Sequence, residues 1–325
     1  MLLLVSCSSY SPYEYLIQGE TMGTTYSVKM VFNGTKSPRE LNNYQLAVKN
    51  ALERVDHLMS TYRADSEISQ LNALPVGQSI SLSAQTYEVM AASKRISRVT
   101  EGVFDMTVAP LVDLWGFGPK FTQDIVPTYE AVLEAKGLVS FEAVELVDGA
   151  AKKTQNVRVD LSAIAKGYAV DQVALALKKL GVINFLVEVG GEIAAHGVNK
   201  SQKLWVLGIE QPNISGRKAY TTISLSGDSL ATSGDYRNYF EKDGVRFSHT
   251  INPKTGYPIK HKLTSVSVIA ENCMRSDALA TALMVMGEVE GYQFALKENI
   301  NAYFIYRENE AYKTLYTPGF ESYLN

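Results

Sequence analysis

The sequence has few cysteines, few histidines, no long apolar run and no block of positive charge. Two cysteines, Cys7 and Cys273, among 325 residues are too few for a disulfide-rich scaffold. No stretch reaches the roughly 18 consecutive apolar residues that a membrane-spanning helix requires. The 31 basic and 34 acidic residues leave a net charge of −3, so we expect no nucleic-acid partner.

The common catalytic signatures are absent as well. There is no G-x-x-x-x-G-K-[ST] loop, no G-x-G-x-x-G after a strand and no G-x-S-x-G turn. Without H-E-x-x-H or C-x-x-C, and with four histidines in all, the sequence gives no indication of a zinc site. Any nucleotide or metal chemistry must therefore use other residues.

The chain begins with a short apolar run that ends in a cysteine, MLLLVSC. Leu4-Val5-Ser6-Cys7 resembles a bacterial lipobox, in which the cysteine becomes the lipidated first residue of the mature protein. A chance cysteine is the alternative, because the usual positive charges before the apolar run are missing. We expect residues 1–16 to be a lipidated start and tether outside the fold. Residues 17–325 would then form the folded part, as one domain or as two interleaved subdomains.

Local patterns predict an α+β fold with mixed, largely antiparallel sheets. Ser37-Pro38-Arg39-Glu40 is a capping box with proline at the first helical position, and apolar residues at helical spacing follow it to Met59. Further helices are predicted to begin at Ser83 and Thr128 and to span 163–180, 274–286 and 289–297. Strands are predicted at 24–32, 183–189, 204–209, 220–225 and 263–270, with a closing hairpin over 302–316. Strands and helices do not alternate regularly, which argues against a doubly wound parallel sheet.

Asp277 and Thr281 lie four residues apart in a predicted helix and therefore point the same way. A carboxylate and a hydroxyl are hard oxygen donors that suit Mg²⁺. The pair has a structural explanation too, in which the aspartate caps the helix and the threonine bonds back to a carbonyl. On these residues alone the structural explanation is the commoner one.

Two further segments carry chemistry-bearing residues. Asp160 and Lys166 lie where a predicted strand leads into a helix, whose free amides would favour a phosphate; capping by Asp160 or Ser162 is the alternative. His249 lies just before an Asn-Pro…Thr-Gly turn, where it could act as a general base or be a structural histidine.

The ordered set of such segments resembles the ApbE family of FAD:protein FMN transferases. The resemblance covers residues 19–290 and implies an ApbE-like fold. The segments are MGTTY (22–26), STY (60–62), GVFDMTVAPLVDLWGFG (102–118), DLSAIAKGYAVD (160–171), EVGGE (188–192), SGDYRNYF (233–240), HTINPKTGYP (249–258) and DALATAL (277–283).

The resemblance implies a reaction and a set of residues. With Mg²⁺, FMN would pass from FAD to a threonine of an acceptor protein, typically a subunit of an ion-pumping redox complex, and AMP would leave. Asp277, Thr281 and the carbonyl of Ala163 would bind Mg²⁺, and His249 would be the base. The residues implied in binding FAD are Met22, Tyr62, Val103, Phe104, Asp105, Asp160, Lys166 and Ile251. At Glu192 the family usually has aspartate, so no role is carried to that residue.

Two alternatives stay open at this stage. Water could replace the acceptor, giving an FAD pyrophosphatase that releases FMN and AMP. A non-catalytic flavin-binding lipoprotein would keep the stacking residues and need neither metal nor base. Many members of the family are bacterial lipoproteins, in agreement with the lipobox. We therefore expect a lipid anchor on Cys7, at the periplasmic face of the inner membrane.

Overall fold

The structure, a computed structural model, describes residues 11–118, 126–212, 219–235, 239–242, 244–309 and 311–325. Cys7 and residues 236–238 of the 233–240 segment lie outside the described residues. The helices are α1 Pro38–Met59, α2 Glu67–Ala73, α3 Ala84–Val99, α4 Ala109–Leu114, α5 Tyr129–Lys136, α6 Ala165–Lys179 and α7 Cys273–Lys297. The strands are β1 Pro12–Thr21, β2 Thr24–Asn33, β3 Ser79–Ser81, β4 Val144–Val147, β5 Ala150–Lys153, β6 Phe185–Val189, β7 Glu192–His196, β8 Trp205–Glu210, β9 Ala219–Leu225, β10 Ser229–Gly234, β11 Tyr239–Lys242, β12 Val245–Ser248, β13 Leu263–Ala270, β14 Asn301–Glu308 and β15 Ala311–Tyr316.

An eight-stranded sheet in the order β1-β2-β6-β7-β10-β13-β14-β15 forms the centre of the fold. Every pairing along it is antiparallel. Smaller antiparallel groups are β3-β5-β4, β8-β9 and β11-β12. The predicted α+β class with largely antiparallel sheets is confirmed.

Both faces of the sheet are covered, and alternate residues of each strand serve opposite faces. In β13, Val268 belongs to the core under the helices and Ile269 to a second core on the other face. Helices α1, α6 and α7 cover the first face. The β8–β9 hairpin and Phe320 cover the second. Burial on both faces explains why seven of the eight residues of β13 are buried, with Thr264, Ser265 and Ser267 among them.

Most predicted elements are confirmed close to their predicted ends. The capping box at Ser37 is formed in both directions, with Glu40 Oε2 accepting from the Ser37 backbone N–H at 2.9 Å. The strand 263–270 is found unchanged. The two predicted C-terminal helices are joined as α7, which is kinked at Gly287, where φ is 84°. Among the described residues, no helix is both long enough and apolar enough to cross a membrane.

The predicted tether boundary at residue 16 is too late. β1 begins at Pro12 and pairs with β2 over its whole length, from Pro12 opposite Asn33 to Thr21 opposite Thr24. Residues 12–16 therefore belong to the sheet. The strand pattern is weak here, because a proline and two glutamates interrupt the apolar residues of β1.

Candidate active site

A cleft of about 940 Å³ holds all but one of the residues that the family resemblance indicated. They come from well-separated parts of the chain, which the fold brings to one place. The predicted residues that line the cleft are Tyr62, Val103, Phe104, Asp105, Asp160, Ala163, Lys166, His249, Ile251, Asp277 and Thr281.

Met22 is the predicted residue that does not line the cleft. It occupies the turn between β1 and β2, where Met22 and Gly23 both have positive φ, 50° and 71°. Its side chain packs against the core under the helices. The two residues that follow the turn, Thr24 and Thr25, do line the cleft. Met22 therefore forms part of the turn of the β1–β2 hairpin. Its contact with FAD stays a prediction.

Asp277 sits where α7 crosses the N-terminus of α6. Its side chain is 3% exposed, and Oδ2 accepts a hydrogen bond from the backbone N–H of Gly167 at 2.9 Å. A Cβ at position 167 would lie 2.3 Å from the carbonyl oxygen of Cys273. Only glycine at this position lets the two helices come close enough for the bond.

The two helices cap each other. Asp171 of α6 accepts hydrogen bonds from the backbone N–H groups of Cys273 and Met274 in the first turn of α7, both at 2.8 Å. Asp277 of α7 does the same for Gly167 in the first turn of α6. Each carboxylate satisfies amides that have no partner within their own helix. We call this arrangement the reciprocal cap.

Lys166 joins two buried carboxylates. Its Nζ lies 2.7 Å from Glu192 Oε1 and 3.7 Å from Asp277 Oδ1. Burial by itself lowers the pKa of Lys166, but the charges of Asp277 and Glu192 outweigh it and raise the pKa above its usual value. Burial raises the pKa of Glu192; Lys166 opposes the shift and Asp277 adds to it. When all three groups are charged the cluster has a net charge of −1, which favours a further cation.

Thr281 follows Asp277 by one turn of α7 and lines the same cleft, as the spacing predicts. Its hydroxyl lies 3.4 Å from Ser233 Oγ in β10. Asp277, Thr281 and Ala163 therefore offer oxygen donors of the kind that Mg²⁺ prefers. Among the described residues, no three side chains of His, Cys, Asp or Glu are grouped as a metal site. The predicted set contains a single carboxylate, so it does not depend on such a group.

Asp105 shapes the wall of the cleft. Oδ1 accepts from the backbone N–H of Thr107 at 2.7 Å, and Oδ2 accepts from that of Phe141 at 3.0 Å. Burial raises the pKa of Asp105, although these hydrogen bonds lower it. Asp160 is similarly engaged, because its Oδ1 accepts from the Ser162 N–H at 2.8 Å. This contact is a local turn and not a helix cap, because α6 begins at Ala165 and its N-cap residue, Ile164, has no side-chain cap.

His249 borders the cleft beside a cluster of aromatic rings. Phe117 meets its imidazole edge-on, with 6.3 Å between ring centroids, and Phe240 packs against Phe117 at 5.7 Å. The loop after His249 is fixed as well, since Trp115 Nε1 donates to the Gly256 carbonyl at 2.9 Å. Phe117 lines the cleft next to His249, a contact that the sequence did not reveal.

Tyr62 stands at the rim of the cleft. Its side chain is 72% exposed, which is unusual for a large aromatic group in a folded protein. A planar ligand could stack on this ring, as the sequence suggested.

The chain is similar over nearly its whole length to characterised proteins. A model of the ApbE family matches residues 22–304. The "FAD:protein FMN transferase" of Vibrio cholerae is 40% identical over 327 residues, covering 100% of this chain and 97% of that protein. The protein of the same name from Haemophilus influenzae is 41% identical over 312 residues, covering 94% and 90%.

Solved structures agree. The apo form of the flavinyl transferase ApbE from Pseudomonas stutzeri matches with a TM-score of 0.88 at 38% identity, over 96% of this chain and 97% of that one. The flavin transferase ApbE from Vibrio cholerae matches with a TM-score of 0.88 at 38% identity, over 96% of this chain and 100% of that one.

Proposed function

The chain belongs to the ApbE family, and on that premise we propose that it transfers FMN from FAD to a threonine of an acceptor protein, with Mg²⁺ as cofactor and AMP as leaving group. The observation that carries the proposal is one cleft shared by Asp277, Thr281, Lys166 and His249. A dinucleotide-sized ligand suits a cleft of about 940 Å³.

Asp277, Thr281 and the carbonyl of Ala163 would hold the magnesium ion. The residues fit it, because the donors are hard oxygens and the cluster of Asp277, Lys166 and Glu192 has a net charge of −1 when all three groups are charged. When bound, Mg²⁺ supplies charge stabilisation for the pyrophosphate of FAD. Protein ligands fill only part of a magnesium shell in many phosphate-handling sites, and substrate oxygens and water complete it.

Lys166, in the first turn of α6, provides the positive side of the site. Lys166 stays protonated because two carboxylates surround it, so its ammonium can orient a phosphate while remaining anchored to Glu192. Phosphoryl transfer depends mainly on positioning and charge stabilisation, which these groups supply.

His249 would take the proton of the acceptor hydroxyl. The threonine Oγ forms a bond to the phosphorus on the FMN side of the pyrophosphate, and the bond from that phosphorus to the bridging oxygen breaks. AMP leaves with the bridging oxygen and its electron pair, and the hydroxyl proton goes to His249. Phe117 limits the tilt of the imidazole through its edge contact.

Tyr62 and the Val103-Phe104 turn would contact the ring systems of FAD. Tyr62 is exposed at the rim, whereas Phe104 is buried in the wall. The two can therefore act differently, with Tyr62 closing on a bound ring and Phe104 shaping the surface behind it. Ile251 lines the cleft two residues after His249.

The proposal is tested by incubating the protein with FAD, Mg²⁺ and a redox-complex subunit that contains the candidate threonine. We expect a flavin-fluorescent acceptor band and a mass increase equal to one FMN less one water. One AMP should be released per flavin attached. The acceptor with valine in place of that threonine is the control and should stay unlabelled. An unlabelled acceptor with FAD still bound to the protein would contradict the proposal.

The same assay separates the alternatives. Release of free FMN and AMP at the same rate without acceptor would indicate a pyrophosphatase. If Asp277→Ala left the function of the protein intact, a non-catalytic flavin-binding protein would be indicated. For a transferase we expect Asp277→Ala to lose both Mg²⁺ binding and turnover.

We also propose that a lipid on Cys7 anchors the protein at the periplasmic face of the inner membrane. The support is the lipobox-like run that precedes Cys7 in the sequence. Metabolic labelling with a fatty-acid analogue should mark the wild type and not Cys7→Ser. Labelling of both to the same extent would rule out Cys7 as the anchor.

A further inference from the structure

Glu192, the first residue of β7, has one carboxylate oxygen engaged and one without a partner. Oε1 accepts the hydrogen bond from Lys166 Nζ at 2.7 Å. Oε2 is buried and has no hydrogen-bond partner within the part of the chain that the structure describes. The residue is 4% exposed. Leaving a buried acceptor unpaired is costly, so an unpaired oxygen in a cleft marks a place where a ligand can donate a hydrogen bond.

The surroundings of Oε2 leave room for a ligand. Glu192 lines the cleft together with Gly190, Gly191 and Thr24. A Cβ at position 190 would lie 3.4 Å from Oε2 and 2.9 Å from Thr24 Cγ2, so the Thr24 side chain already fills that side, whereas a Cβ at position 191 would meet no atom within 4 Å. The open space beside Glu192 is therefore at Gly191.

A hydroxyl group suits Oε2 better than a second metal ion. Lys166 lies between Glu192 and Asp277 and neutralises the oxygens that face each other. The two carboxylates therefore share the lysine ammonium and do not converge on a metal ion. A neutral donor can bond to Oε2 while Oε1 keeps its hold on Lys166.

FAD carries such donors on both sides of its pyrophosphate, as the hydroxyls of the ribityl chain and of the ribose. The other oxygen of the same carboxylate is bonded to Lys166, the residue that would bind the pyrophosphate between these hydroxyls. We propose that Glu192 Oε2 accepts a hydrogen bond from a sugar hydroxyl of FAD, so that one side chain positions Lys166 and selects the ligand. The proposal rests on the proposed function.

The test couples a protein change to a ligand change. FAD, and analogues that each lack one hydroxyl of the ribityl chain or of the ribose, are titrated into wild type, Glu192→Ala and Glu192→Gln without Mg²⁺ or acceptor. Flavin fluorescence gives the dissociation constants. Glu53→Gln, which removes an exposed carboxylate of α1 paired to Lys49, is the matched control. Thermal melting checks that each variant is folded.

We expect Glu192→Ala to bind FAD about tenfold or more weakly than wild type. One analogue should bind to wild type about tenfold more weakly than FAD does. The same analogue should bind to Glu192→Ala as tightly as FAD binds to that variant. The analogue that shows this identifies the ribityl chain or the ribose as the source. Glu192→Gln keeps an acceptor for Lys166, and should respond less than wild type to the loss of that hydroxyl, which preserves the test if the alanine variant does not fold.

Equal losses in wild type and Glu192→Ala for every analogue would overturn the proposal, as would unchanged FAD binding by Glu192→Ala. A wild type that does not bind FAD either without Mg²⁺ or with it would instead overturn the proposed function, and this inference with it.

Discussion

At the scale of single residues, His249 is expected to act on the chemical step and not on FAD binding. Removing a general base typically costs about 10²- to 10⁴-fold in rate. His249→Ala should therefore lower the rate of covalent flavin transfer by a factor in this range and leave FAD affinity near that of wild type. Rates come from the fluorescence of the labelled acceptor, and affinity from flavin titration. Full activity in this variant would remove His249 from the role of base.

Gly167 is the residue on which the close approach of α6 and α7 depends. A Cβ there would lie 2.3 Å from the Cys273 carbonyl and 2.8 Å from Asp277 Cβ, so Gly167→Ala must push the helices apart. We expect a loss of roughly 1–3 kcal/mol in the free energy of unfolding, the usual cost of overpacking. Mg²⁺ affinity should fall as well, because Asp277 moves.

Gly137→Ala is the matched control for Gly167→Ala. Gly137 has right-handed helical backbone angles, and a Cβ there would lie 3.3 Å from the nearest atom outside its neighbours. Urea unfolding and isothermal titration with Mg²⁺ measure both effects. Equal stability of the two alanine variants would contradict the explanation given for Gly167.

At the scale of elements, N-terminal deletions test how much β1 contributes to the stability of the fold. The sequence placed residues 1–16 outside the fold, so that deleting them would cost little stability. The structure changes this prediction, since residues 12–16 pair with β2 and Tyr15 packs against the core. Deleting residues 1–10 should leave the melting temperature unchanged. Deleting residues 1–16 should lower the free energy of unfolding by roughly 1–3 kcal/mol, mainly through Tyr15. Equal melting temperatures for the two truncations would contradict this.

Elements with local signals could be predicted, and elements that depend on distant partners could not. The capping box at Ser37 and the β-branched residues of β13 are local signals, and both elements were found as predicted. The same holds for Asp277 and Thr281, whose spacing alone puts them on one face of α7. The bonds from Gly167 to Asp277 and from Lys166 to Glu192 span 110 and 26 residues, and no local pattern reveals them. Only the ordered family motifs indicated that these segments share a site.

At the scale of the whole molecule, the cleft joins segments from both halves of the chain, so a bound ligand should stabilise the fold as a unit. A ligand present at 100 times its dissociation constant adds about 2.7 kcal/mol to the free energy of unfolding. We expect Mg²⁺ to raise the melting temperature of wild type, and EDTA to reverse the rise. Asp277→Asn should abolish the Mg²⁺ effect while keeping an acceptor for the Gly167 N–H.

The matched control for Asp277→Asn is Asp65→Asn, which removes an exposed carboxylate paired to Arg63. This variant should respond to Mg²⁺ as wild type does. Differential scanning fluorimetry measures all the shifts. A Mg²⁺-dependent rise in Asp277→Asn as large as that in wild type would place the cation elsewhere.

The reciprocal cap affects how Mg²⁺ would bind at Asp277. Sliding or rotating α7 against α6 would uncover amides at the starts of both helices at once, so the two move only as a pair. The oxygen of Asp277 is therefore held in place before any ion arrives. Ion uptake should then be governed by how fast the cation sheds its hydration water, and not by a rearrangement of the chain.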